Sequence, residues 1–75
     1  MDDFRFDRYL KNERLRDVIR EALVNGEFQA GDKLPSQNEM CDQFGVSPHT
    51  VREAIASLVH EGLLYRLQGK GTFVT

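Results

Sequence analysis

Apolar residues recur along this chain with the period of a helix three times, and then with the period of a strand. Leu15, Val18, Ile19, Ala22 and Leu23 fall at i, i+3, i+4, i+7 and i+8, one stripe of an amphipathic helix. Leu10 extends the stripe by a turn, and the pattern runs to Asn25. Gly26 follows, where a helix end calls for a left-handed residue. Ahead of the stripe, residues 1–7 (MDDFRFD) alternate aromatics and charges and read either as a loose lead or as the start of that helix.

The stretch Glu27–Pro35 is a connector, with Phe28 as its anchor into the core, a turn at Ala30-Gly31-Asp32 and a short strand at Lys33-Leu34. Ser36-Gln37-Asn38-Glu39 is then a capping box, which starts a second helix: the Ser36 side chain accepts from the Glu39 amide while Glu39 reaches back to the Ser36 amide. Met40 and Phe44 lie four apart on its inner face with Cys41 beside them, and Gly45 stops it. Val46 alone separates that stop from Ser47-Pro48, an N-cap followed by proline at the first helical position. Two helices joined by about three residues that include a glycine make a helix-turn-helix. The third helix buries Val51, Ala54, Ile55, Leu58 and Val59, again at i, i+3, i+4, i+7 and i+8, and Gly62 ends it. Leu63–Leu67, a tight turn at Gln68-Gly69-Lys70-Gly71, and Thr72-Phe73-Val74 then form a hairpin. The expected fold is α+β, a winged helix-turn-helix: three helices followed by a two-stranded β-hairpin wing, one domain over residues 1–75.

Composition adjusts this picture only slightly. No apolar run approaches the ~20 residues of a membrane span, and Met1-Asp2-Asp3 lacks a basic lead for secretion. One cysteine, Cys41, allows no internal disulfide and reads as a small core residue. These features point by default to the cytoplasm and to no membrane partner. Two scattered histidines and that cysteine do not make a metal site, and no nucleophile–base pair, phosphate loop or paired acids stand out. Neither a cofactor nor an enzyme is expected.

Charge argues the other way from the fold. A nucleic-acid binder is expected to be basic, and this chain carries −2. The acids are unevenly placed: residues 1–42 sum to −3 and residues 43–75 to +1, with His49 and His60 both in the second half. Weak, salt-sensitive DNA binding is the expectation, and a winged-helix protein-interaction module is the rival reading.

On a helical wheel, the face of the third helix opposite its stripe shows His49, Glu53, Ala56 and His60, flanked by Thr50, Arg52 and Ser57. A recognition helix reads bases with its N-terminal residues, which selects His49, Thr50, Arg52 and Glu53. Arg52 has the chemistry either to read guanine bidentately or to clamp a phosphate. Its bland alternative is an ion pair with Glu53 or Glu61. Ser47 and Thr50 place hydroxyls at a helix N-terminus, where outward amides favour an anion. His49 stands between base contact and plain exposure, and Glu53, an acid facing the DNA backbone, is the weakest of the group. At the hairpin tip Gly69, Lys70 and Gly71 combine close backbone approach with one charge, suited to a phosphate or the minor groove.

The run LPSQNEMCDQFGVSPHTVREAIASLVHEGLLYRLQGKGTFV resembles the DNA-binding domain of GntR-type bacterial regulators. The markers are Leu34-Pro35-Ser36, Phe44-Gly45-Val46-Ser47, Thr50-Val51-Arg52, Gly62-Leu63-Leu64 and Gly69-Lys70-Gly71-Thr72-Phe73-Val74. With VIREALVNGEFQAGDKLPS upstream, the resemblance covers roughly residues 10–75; the wing is most similar to the HutC-like branch, with the arabinose-repressor branch close behind. It implies DNA contacts at Ser47, Thr50, Arg52 and Gly69, which complete a DNA-binding set of Ser36, Ser47, His49, Thr50, Arg52, Gly69, Lys70 and Gly71. The third helix, about 47–61, would enter the major groove and the wing, 68–71, the minor groove or backbone. Two positions depart from the family pattern: Gln37 replaces the usual glutamate, and Pro48 the usual DNA-contacting arginine. The second departure bears on the family's usual target sequence or affinity. The resemblance also implies a double-stranded DNA operator as partner, and a longer protein that is a homodimer. A C-terminal domain absent from this chain would take a small-molecule effector, or in some relatives be aminotransferase-like. The isolated head is expected to be a monomer; a dimer without DNA would point to Phe4, Phe6 and Tyr9.

Overall fold

The computed structural model describes residues 3–75, with side chains from Glu13 onward, so the expectations placed on Phe4, Phe6, Tyr9 and Leu10 side chains lie outside the described residues. Helix α1 spans Asp3–Val24, so the charged and aromatic lead joins the first helix. Helix α2 spans Gln37–Phe44 and α3 Pro48–His60; strands β1 (Leu64–Leu67) and β2 (Gly71–Val74) close the chain as an antiparallel hairpin. This is the expected winged helix-turn-helix.

Local chemistry sets the helix ends. After α1, the Gly26 and Glu27 amides donate to the Leu23 and Ala22 carbonyls, and after α3 the Gly62 and Leu63 amides donate to Val59 and Leu58. Both are Schellman ends, with the glycine left-handed at φ +81 and +82. Leu63 is thereby used as the residue that closes α3, which is why the strand begins at Leu64 rather than at Leu63. The capping box forms as expected, with Glu39 N to Ser36 Oγ at 3.1 Å and Ser36 N to a Glu39 carboxylate oxygen at 2.8 Å.

The core joins Leu15 and Ile19 of α1 to Met40 of α2 and to Val51, Ala54, Ile55 and Leu58 of α3. Leu34, Leu64 and Val74 seal its lower end. Two expected core residues stand outside it. Val18 is 49% exposed and Phe44 37% exposed. On α1 it is Leu15 and Ile19 that are buried in the core, with Leu23 packed against it, and Val18 and Phe44 are left on the rim of a groove they share with Phe28.

The connector contributes more than a short strand. Lys33 bridges Phe73 antiparallel, the Leu34 amide donates to Thr72 O, and Gly31 N and Asp32 O exchange bonds with Val74. A third extended segment thus runs along the open edge of β2 and ties the root of the wing to the start of α2. The hairpin turn is also tighter than expected. Gly71 pairs with Leu67 as a strand residue, leaving Gln68-Gly69-Lys70 as the tip. The Lys70 amide donates to Leu67 O across Gly69, whose φ of +77 suits the third position of a type II turn.

Candidate nucleic-acid interface

Ser47 caps α3 in an extended conformation, its Oγ accepting from the Thr50 amide at 3.2 Å, with Pro48 at the first helical position. The cap and the proline fix the start of α3, where Ser47, Pro48 and His49 are all exposed. His49, Arg52, Glu53, Ala56 and His60 are all exposed, as the wheel predicts, while the opposite face is the core.

Thr50 departs from its expectation as a DNA-facing hydroxyl. It is 3% exposed, and its Oγ1 lies 3.1 Å from Ser47 Oγ. The β-branched side chain turns under the cap, where its methyl is buried and its hydroxyl is satisfied locally. Ser47 keeps an exposed position and Thr50 supports it. Ser36 is exposed, with its hydroxyl and amide both engaged in the capping box.

Arg52 has no carboxylate partner among the described residues. Of its two expected competitors, Glu61 is bound instead by Arg20 of α1, and Glu53 makes no salt bridge among the described residues. That bond holds the Glu61 carboxyl below the usual carboxylate range. Glu39 is lowered as well, first by the Ser36 amide that its carboxylate accepts from.

Beside Arg52 a cleft of about 190 Å³ opens between α2, α3 and the hairpin, lined by Gln37, Arg52, Arg66 and Thr72 over a floor of Pro35, Met40, Val51 and Ile55. It continues along the wing past Lys33, Ser36, Arg66 and Gln68 to Gly69, Lys70 and Gly71. Among the described residues, no aspartate or glutamate lines either part. Arg52, Arg66, Lys33 and Lys70 thus share one surface in a chain whose net charge is −2. Splitting the charge by halves of the sequence misses this, because Lys33 belongs to the acidic half. Arg66 and Lys33 were not among the expected site residues. Arg66 had a usable signal: it stands two residues after the buried Leu64, so strand alternation puts it on the same side of the hairpin. Lys33 had none, since its place depends on a long-range bridge. Of the expected residues, Arg52, Lys70, Gly69, Gly71 and Ser36 border this continuous surface; Ser47 and His49 are exposed at the start of α3.

Among the described residues no group of histidine, cysteine and acids is placed to hold a metal, and no helix is long and apolar enough to cross a membrane.

A projecting helix after a tight turn, with a hairpin wing beside it and cations along the intervening cleft, defines a winged helix-turn-helix module of the transcription-regulator class. The sequence profile of the bacterial regulatory proteins of the gntR family matches residues 11–74, and the chain belongs to that family. The HTH-type transcriptional repressor NagR of Bacillus subtilis (strain 168) is 48% identical over 62 residues, covering 83% of this chain and 26% of that protein. The arabinose metabolism transcriptional repressor of Geobacillus stearothermophilus is 40% identical over 62 residues, covering 83% of this chain and 17% of that one. In structure, the chain is similar to the DNA-binding domain of AraR solved in complex with operator ORR3, at a TM-score of 0.84 and 45% identity, covering 87% of this chain and 78% of that one. The chain thus spans about a quarter or less of the length of these two repressors.

Proposed function

We propose that this chain is the sequence-specific DNA-binding head of a bacterial transcription repressor, with α3 entering the major groove and the Gln68-Gly69-Lys70 tip reaching the adjacent minor groove. The observation that carries this reading is Arg52. Among the described residues it is exposed near the start of α3, makes no ion pair, and opens onto a cleft lined by cations and by no acid. A guanidinium in that position reads guanine through its fork or holds a phosphate. His49 and Ser47 lie on the same end of α3, and Lys70 supplies charge at the wing. The family resemblance implies an arginine contact at the position of Pro48; proline offers no donor there, so the load falls on Arg52 and the preferred sequence differs accordingly. Two heads act on the two halves of one operator, brought together by a further domain that also receives a small-molecule effector. The greater length of the two repressors supports that arrangement. The domain works in the cytoplasm and does no chemistry.

The test is selection of duplexes from a random pool by the 75-residue chain, followed by anisotropy titration of the selected duplex. Arg52→Ala should weaken binding by ~1–3 kcal/mol while leaving the circular-dichroism spectrum and melt intact, because the residue lies off the core face. A chain that enriches no duplex, or binds with no dependence on salt, is instead a protein-interaction module.

A further inference from the structure

If α3 lies in the major groove and the wing tip in the neighbouring minor groove, one DNA strand has to pass between them, because a sugar-phosphate backbone is what separates the two grooves. The cleft between α3 and the hairpin is where that strand must run. We propose that Arg66 is a phosphate-binding residue at the centre of this cleft, and that Lys33 is a second one at its wing end. This inference rests on the DNA-binding reading above and adds the path of the backbone to it.

Three observations support the assignment. Arg66 lines both parts of the cleft, facing Arg52 at one end and the wing tip at the other. It is exposed, and among the described residues it makes no salt bridge and no side-chain hydrogen bond, so its donors are free for an anion. Lys33 is brought to the wing by backbone pairing with Phe73, and its side chain lies across Gly71. A Cβ at Gly71 would stand 2.8 Å from Lys33 Cε, so a glycine there leaves room for the lysine stem as well as permitting φ +129. Glu39 lies near enough to feel Lys33, but one of its oxygens accepts from the Ser36 amide and it makes no salt bridge with Lys33. Lys33 lines the wing end of the cleft beside Arg66.

Phosphate contact has a signature that base reading lacks: equal losses on any sequence and a shallower salt slope, ~0.9 per phosphate neutralised. The experiment measures affinity against salt for the selected duplex and for an unrelated duplex of equal length. Arg66→Gln should weaken both by the same factor and lower the slope by about one unit, while Arg66→Lys, which keeps the point charge, should hold the parent's slope. Lys33→Gln gives a second reading from outside the hairpin, with a loss in the same direction. Thermal melts of each variant confirm that it is folded. An unchanged slope in folded Arg66→Gln overturns the assignment, as does a loss confined to the selected duplex, which would make Arg66 a base reader. If Arg52→Ala loses affinity while Arg66→Gln matches the parent, this inference fails and the DNA-binding reading stands. If the parent enriches no duplex, both fall together.

Discussion

Ser47 and Thr50 share one hydroxyl-to-hydroxyl contact of 3.1 Å but occupy different environments. Ser47 is open to solvent at the tip of α3, and Thr50 is packed beneath it. Their substitutions should therefore separate stability from binding. Ser47→Ala removes the N-cap acceptor and should cost ~1 kcal/mol of stability, with a further loss of DNA affinity that persists when folding is corrected for. Thr50→Val keeps the buried shape and removes a hydroxyl whose partner can turn to water, so its stability should change by no more than about 1 kcal/mol. Its affinity for the selected duplex should equal the parent's. Urea unfolding and anisotropy on the two variants check this, and a binding loss in stable Thr50→Val would return its hydroxyl to the contact surface. The exposed residues of α3 were legible because a wheel needs only the direction of the core. Thr50 was not, because it sits on the boundary of that face, where side-chain branching and a local acceptor decide its direction.

At the level of elements, the ends of the helices are written in short local patterns and their packing is not. Ser36 with Glu39, Ser47 with Pro48, and the glycines at 26, 45 and 62 each act through backbone groups a few residues away, so the sequence alone places them. Gly45 shows what such a position is worth. It is left-handed at φ +65 with nothing within 4 Å of where a Cβ would stand, so a substitution meets no steric neighbour and only the backbone preference remains. Gly45→Ala should cost ~1–2 kcal/mol and, by the scaling of ~4–8 °C per kcal/mol for a domain of this size, lower the melting temperature measurably. A melt within a degree or so of the parent's would mean the turn relaxes into another conformation. What the pattern does not disclose is which parts of a stripe find a partner. Val18 matches the helical period as well as Ile19 does, yet Ile19 is buried and Val18 is half exposed at a groove. The pairing of Lys33 with Phe73 joins residues forty positions apart, and it moves a lysine from the acidic half of the sequence to the wing.

At the scale of the molecule, Arg52, Arg66, Lys33 and Lys70 are gathered by the fold rather than by sequence position, and part of the acid is structural. Arg20 ties α1 to Glu61 at the end of α3, and neither residue lines the cationic cleft. Glu61 and Glu39 both have carboxyls held below the ordinary glutamate value of 4.5, the first by the Arg20 side chain and the second by the Ser36 amide. A group whose pKa is lower folded than unfolded binds protons more readily in the unfolded chain as pH falls. Its contribution is therefore complete above its unfolded value and is lost as pH falls through the depressed folded value. Arg20 is shifted upward from a value already far above neutrality, so it stays charged over the whole range and adds no slope of its own. The domain's melting temperature should then hold level from neutrality to about pH 5 and fall progressively below that. Glu61→Gln should lower the level part and flatten the acid fall, since a neutral amide has no proton to gain. Arg20→Gln should do the same through the other partner, and the double variant should be no worse than either alone, because both remove one bond. Melts from pH 7 to pH 3 on the four proteins decide it. If the two single losses add in full, the Arg20–Glu61 bond does not couple the helices in solution, and the acid fall must come from the capping glutamate.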